Sequence, residues 1–575
     1  MSRNLNEPAS LFTLTRSVSE GKSKSLAYAS GWYALIAWIV ASALAATAVA
    51  QYVETNRGCI SCHESPMSRS DFCDSVPASV WRQDDKHRRA FELLHESNSP
   101  DTTARDKKQA LVRQILGFDL REAFVDDRYS QLIEPTSEEA KSRVATVKAC
   151  LRCHGTWPKE ADEQFASSPP VSLDLGVSCQ ACHGPGERWL AVHFSESWRR
   201  VTPDAKAALG CTDCRSPVAK AQMCASCHVG NLAEGKFVKH EWYAAGHPPL
   251  PSFELASFEA QMPRHWQSLR EKGPFRYRDA PSTGEEPLAL DQRLALERAG
   301  VPANAIKGSY LEANFADAIA KGLQPAADLA GAKDAVVGGA VAFSIYIRSL
   351  AEYASHVGEG DNKATWPELA LYDCSACHHE LRSGLGANTR PKRNHIPGRP
   401  PLATWPQVLT RLAAAQTDGY RAENATSRWS RIRDLATKLD KAATGRPFGE
   451  AVAIASAASD LATALEQLAI DASNMRFDEQ AARAALQFLT NPRNYESADF
   501  YSARQAAWAI TAIAGDLQAG GGSMLFAQNT DDPLALRLPS GPNRGVMDNL
   551  RRWLPAAGKY DPVWFQQQLK SAANQ

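Results

Sequence analysis

Ten of the 13 cysteines fall into five Cys-x-x-Cys-His units. They are Cys59, Cys62 and His63; Cys150, Cys153 and His154; Cys179, Cys182 and His183; Cys224, Cys227 and His228; and Cys374, Cys377 and His378. The spacing specifies a chemistry. Two thiols one turn apart reach the two vinyl groups on one edge of a porphyrin and form thioethers. The next residue then presents an imidazole to the iron from the same side. Random shuffling of this composition yields roughly 0.007 such units, so five of them are no accident. A zinc site has no need for His directly after each second Cys, and a thioredoxin-like Cys-x-x-Cys occurs once, in a βαβ setting. The five units therefore imply five covalently attached haem c groups with their iron.

Three cysteines remain: Cys73 alone, and Cys211 with Cys214 in a Cys-x-x-Cys followed by Arg215. Arg215 is a poor iron ligand, because a guanidinium keeps its proton and offers no lone pair. A sixth haem there is disfavoured. A local disulfide or two buried thiols in an oxidising compartment is the plainer reading.

Of 14 histidines, five sit in the motifs, leaving His87, His95, His193, His240, His247, His265, His356, His379 and His395. Five irons need at most five distal ligands, so bis-His coordination throughout is possible by count. This matters because a six-coordinate haem moves electrons, whereas an open one binds a small substrate. Local context ranks His87, His193 and His247 first as distal metal ligands. His87 opens a helical pattern after motif one, His193 follows the turn Gly184-Pro185-Gly186, and His247 precedes Pro248-Pro249. His240 and His356 rank next. His379 directly follows a motif His and is expected to point elsewhere.

The elements that must position these ligands read as mainly α with long loops: a multihaem cytochrome c core packed around its haems, plus a C-terminal helical bundle. Motifs two to four are closely spaced, so macrocycles are expected to replace much of the aliphatic packing there. Motif five stands apart, as an entry or exit point, after a helix expected over 332–353. From about Pro400 there is neither Cys nor His, and apolar residues recur at helical spacing, as in Leu461, Leu465 and Leu468. The expected units are a cytoplasmic tail at 1–30, a transmembrane anchor or uncleaved signal at 31–51, and a multihaem domain with motifs one to four at 52–250. A helical segment with motif five follows at 251–399, then a haem-free helical domain at 400–575.

The 31–50 run is uncharged and about long enough to cross a bilayer. Arg3, Arg16, Lys22 and Lys24 precede it, which places the tail inside and the rest outside. Ala48-Val49-Ala50 also suits signal cleavage. The protein is thus expected on the cell inner membrane as a single-pass protein facing the periplasm, or soluble in the periplasm if cleaved after Ala50. No later segment reads as long and apolar enough to span. Lys+Arg and Asp+Glu are equal at 64 each, which argues against a nucleic-acid partner and against steering by net charge.

The chain resembles the cytochrome c-552/4 (cytochrome c-554 type) family of multihaem c-type cytochromes. The resemblance lies in Val177-Ser178-Cys179-Gln180-Ala181-Cys182-His183-Gly184-Pro185-Gly186, in residues 223–230, and in Ala244-Ala245-Gly246-His247-Pro248-Pro249-Leu250. It covers roughly residues 52 to 395. It implies an extracytoplasmic, loop-rich helical electron carrier, with bis-His roles for His63, His154, His183 and His228. The fifth motif, the membrane run and the C-terminal helices depart from the family, and Trp189 stands where a His often follows the third motif; His193 is the substitute. Electron transfer between a redox partner protein or the quinol pool and an acceptor is the favoured function. The alternatives are a multihaem oxidoreductase acting on a small nitrogen or sulfur compound at one open haem, and a scaffold that docks partners through its C-terminal helices.

Overall fold

A computed structural model describes residues 55–64, 77–95, most of 102–518 and a few positions between 563 and 569. The longer stretches outside the description are 1–54, 65–76, 96–101, 159–168, 267–287, 321–327, 358–364, 378–397 and 519–562. The expected tail and membrane run, Cys73, His378, His379 and His395 therefore lie outside the described residues. Within them the chain is mainly helical with long connections, and β pairing is limited to isolated bridges such as Val201 with Ile306.

The first half presents its motifs on helix ends. Helix α1 (Thr55–His63) ends on His63, α2 (Glu138–His154) on His154, and the short α3 (Cys179–His183) on His183. Helix α4 (Pro217–Ala225) passes into a π turn, Ser226–Gly230, that carries His228. Helix α2 shows how such an element is specified. The Ser137 hydroxyl accepts the Ala140 N–H at 3.2 Å, Glu138 and Glu139 occupy the first turn, and Val144, Val147 and Leu151 form the buried stripe. That stripe packs with Phe91, Leu120 and Trp157 in a small cluster of its own. A second small cluster gathers Trp189, Trp198, Leu209 and Leu296.

The second half has one large core. After α5 (Leu255–Ala260), helix α6 (Ala330–Ser355) runs through the centre of α7 (Gln407–Thr417), α8 (Arg428–Thr444), α9 (Ala451–Ser473), α10 (Glu479–Thr490) and α11 (Phe500–Gln518). Val336, Val341, Ile347 and Leu350 are 0 to 1% exposed, each burial being worth about 1.5–3 kcal/mol. Gly338 and Gly339 let neighbouring elements close on α6: a Cβ on Gly339 would collide with Leu409 of α7. The expected break at residue 400 is crossed by this core, which runs from Ala221 to Leu569 and makes α6, from the 251–399 segment, its axis.

Helix α6 also corrects the expectation that nothing after the N-terminus is long and apolar enough to span a membrane. Its best window has a mean hydropathy of 1.3. That window is 89% buried within the protein, so the hydropathy serves a core. The two halves meet at α4 and α5. Lys220 of α4 bonds Glu259 of α5 at 2.7 Å and Asp334 of α6 at 2.6 Å, and the Gln505 amide of α11 donates to the Phe253 carbonyl at 2.8 Å.

Candidate haem sites

Ending each helix on the motif fixes three directions together. The two cysteines lie three residues apart on one face. The His that follows leaves the helix at its negative end, which favours a cation. The free carbonyls there need partners, and the chain turns sharply to supply them. At motif three the turn is Gly184, with φ +81; a Cβ would strike the Gly210 carbonyl, and Thr212 N–H donates to His183 O at 3.0 Å. Loop 210–215 is thereby clasped against motif three.

Each of the four described motif histidines faces a second histidine. The ring centroids of His63 and His193 are 6.3 Å apart, those of His228 and His87 6.2 Å, those of His154 and His247 6.5 Å, and those of His183 and His265 6.4 Å. Two imidazoles on opposite sides of one metal, with bonds of about 2 Å and ring nitrogens about 1.2 Å from their centroids, stand a little over 6 Å apart. Four independent pairs share that separation, so this donor set fits an iron between each pair of rings. A further observation agrees. Trp189 Nε1, beside His193 with ring centroids 5.3 Å apart, is buried with no acceptor among the described residues, the state of a donor suited to an acidic group such as a haem propionate.

Burial prepares these rings as ligands. It pushes His183 and His228 down to about 4, helped by His265 and His63 near the first and by His87 near the second. It also lowers His63, His247 and His265. A neutral imidazole at neutral pH keeps the lone pair that a metal needs. His87 is the exception: burial opposes its charge, but the hydrogen bond and charge of Asp85 lift it above the ordinary value.

The motifs abut in an order that differs from the sequence. Helix α1 packs on α3, and Cys59 lies within electrostatic reach of Cys179, joining motifs one and three. Cys182 is likewise near Cys224 and Cys227, joining three and four. Cys227 hydrogen-bonds Cys153 and stands 4.0 Å from the Arg152 carbonyl, joining four and two. Tyr243 lies within electrostatic reach of both Cys153 and Cys374, so motifs two and five share it as a neighbour. The sites thus run one, three, four, two, five. The described motif cysteines are free of disulfides, as attachment of a macrocycle requires.

His87, His193 and His247, ranked from sequence as distal candidates, face the rings of His228, His63 and His154. His265 was not among the ranked candidates, yet it faces His183. Its sequence setting, Pro263-Arg264-His265-Trp266, carries no ligand signal beyond a Pro-stiffened loop. His356 closes α6, its Nδ1 bonding its own helix at the Glu352 carbonyl at 2.6 Å, and it pairs with none of the described motif histidines. His240 opens a short helix, and its N–H donates to Glu368 at 2.8 Å. Glu368 caps the turn Leu369–Leu371 just before Cys374. His240 therefore lies on the side of motif five, whose His378 is outside the described residues.

Cys211 and Cys214 are free thiols, pushed by burial up to about 11 and about 12. Arg215 is held by Asp213 at 2.9 Å, Tyr310 at 2.9 Å and Asn314 at 2.7 Å. Of the two readings of this pair, the thiols rather than the disulfide are present.

Residues 122–184, which contain motifs two and three, match the family model described as cytochrome c554 and c-prime. No curated protein and no solved structure matches the chain. The matched stretch is shorter than the 52–395 suggested by the sequence segments, and takes in only the first of them up to Gly184. Over residues 122–184, then, the chain resembles the c-type cytochromes of the c554 and c-prime family, electron-transfer proteins whose cofactor is covalently held haem c with its iron.

Proposed function

We propose that the chain is an extracytoplasmic pentahaem c-type cytochrome that carries electrons through bis-His sites. One observation carries the reading: four motif histidines each face a second histidine at 6.2 to 6.5 Å. Bound haem supplies a one-electron iron couple at each site. The chain's own residues do the rest. Cys59 and Cys62, Cys150 and Cys153, Cys179 and Cys182, Cys224 and Cys227, and Cys374 and Cys377 hold the macrocycles. The pairs His63–His193, His154–His247, His183–His265 and His228–His87 would each hold one iron between two imidazoles. Full coordination leaves nowhere for substrate, which favours carriage over turnover. His240 is the proposed partner of His378.

The abutting order of the motifs supports a continuous route with motifs one and five at its ends. Motif one follows closely on the apolar 31–51 run, which we read as the anchor in the cell inner membrane, with the haem region in the periplasm. An electron donor at that end is then a quinol pool or a membrane-bound redox protein. A redox partner meets the other end, and the C-terminal helices offer it a docking surface. Intact mass of the mature chain, read with haem quantitation, tests the count: five adducts are expected, and four or fewer would sink the pentahaem reading. Reduction by a single donor should reach every haem, whereas a fraction that stays oxidised would break the continuous route.

A further inference from the structure

An axial imidazole that binds iron through Nε2 turns its Nδ1–H outward, and the acceptor there sets how strongly the ring donates. Four of the paired rings face neutral carbonyls: His154 that of Ala90 at 3.1 Å, His193 that of Leu190 at 2.6 Å, His247 that of Pro248 at 2.8 Å and His265 that of Pro263 at 3.5 Å. Two rings differ. His87 Nδ1 stands 2.9 Å from Oδ1 of Asp85, a carboxylate only 3% exposed. His183 Nδ1 stands 3.6 Å from Cys214 Sγ, whose thiol donates onward to the Cys182 carbonyl at 3.5 Å.

We propose that Asp85 and Cys214 are positioning residues whose unlike acceptor strengths set the iron at motif four to a lower reduction potential than the iron at motif three. The proposal rests on the bis-His reading above. A buried carboxylate makes a charge-assisted bond and draws the Nδ1 proton toward itself. The ring then donates more strongly, which favours ferric iron and lowers the potential. Sulfur is a weak acceptor, so His183 donates as an ordinary neutral imidazole. The Asp85 charge also reaches Cys182, Cys179 and His265 at motif three. That through-space part lowers both sites; the hydrogen bond acts on motif four alone and makes the difference. Both acceptors are locally built. Asp85 also accepts the His87 N–H at 2.9 Å, and the contact of Gly184 with Gly210 presses the Cys214 loop onto His183. The Cys-x-x-Cys that carries no haem of its own thereby gains a role at its neighbour's.

The test is a potentiometric titration of the full haem-loaded chain, followed by low-temperature EPR, for wild type, Asp85→Asn, Asp85→Glu and Cys214→Ser. Asn keeps an oxygen for the His87 N–H and removes the charge. It should raise the motif-four potential by about tenfold in electron affinity, about 59 mV for one electron, and Glu should restore part of the shift. Cys214→Ser, with a stronger acceptor, should lower the motif-three potential by less. The proposal is overturned if low-spin signals persist in all variants while every potential stays within twofold of wild type. High-spin iron at these sites in the wild type would instead overturn the bis-His reading beneath it.

Discussion

The stretch from Thr55 to Gly230 and the bundle around α6 solve the problem of an interior in different ways. In the first, two small apolar clusters flank a middle occupied by paired imidazoles and mostly half-buried thiols. In the second, Ala, Leu, Val and Ile fill one continuous core, and no Cys or His occurs from Pro400 onward. The first interior is laid out around its Cys-x-x-Cys-His units and the histidines that face them. The second is specified by side-chain volume. Stability and cofactor content should therefore be separable: what damages one region should leave the signature of the other.

The strongest way to break that comparison is at motif three, which touches motif one and motif four. Replacing Cys179 and Cys182 together by Ala should remove one haem equivalent. It should also lower the thermal stability of the motif region while far-UV signal from the bundle persists to the wild-type temperature. Scanning calorimetry with haem quantitation checks this, and a single cooperative loss of both regions would contradict it.

Acid should separate them next. In the fold, burial holds His183 and His228 near 4, below the 6.5 of a free imidazole. A depressed folded value stabilises above the unfolded value and is lost as pH falls through the folded one. Iron competes with protons for the same lone pair, so metal binding has the same sign. The motif region should therefore weaken as pH falls below about 6.5, the free-imidazole value, because protons compete with both burial and iron for the same rings. The bundle helices, free of His, should hold through that window. Soret and far-UV titrations in parallel read the two regions independently.

The smallest of these effects belongs to the bundle. Gly339→Val puts a side chain against Leu409, and overpacking of this kind costs about 1–3 kcal/mol. Denaturant midpoints followed by far-UV signal should fall while the haem spectrum under native conditions stays unchanged. A changed Soret band would mean that the bundle core supports the haem sites more directly than its contacts indicate. The link to watch is Phe258, with ring centroids 4.9 Å from His228 and 6.0 Å from Trp508.

How much was legible in the sequence follows the same division. Haem attachment is written in five consecutive residues, so every motif stands out without a fold. The histidines that face the motif rings come from remote segments, and only tertiary structure pairs them. His87, His193 and His247 were reachable through local turn and helix signals. His265 was not, because nothing near it distinguishes a ligand loop from any other. His356 bonds the Glu352 carbonyl through Nδ1 and faces none of the described motif histidines, and His378 lies outside the described residues. Helical periodicity found α6 and the C-terminal helices, since burial repeats along them. It could not show that α6 belongs to the core of the later segment, because membership of a core depends on which elements meet. The order of the motifs, one, three, four, two, five, was likewise invisible to spacing along the chain.

The central claim is that the four described motif histidines each share an iron with a second histidine. Quantitative low-temperature EPR of the fully oxidised chain addresses it directly. The account predicts low-spin bis-imidazole ferric signals amounting to at least four haems per chain, unaltered by cyanide. A high-spin, cyanide-binding fraction too large to come from motif five alone would contradict it.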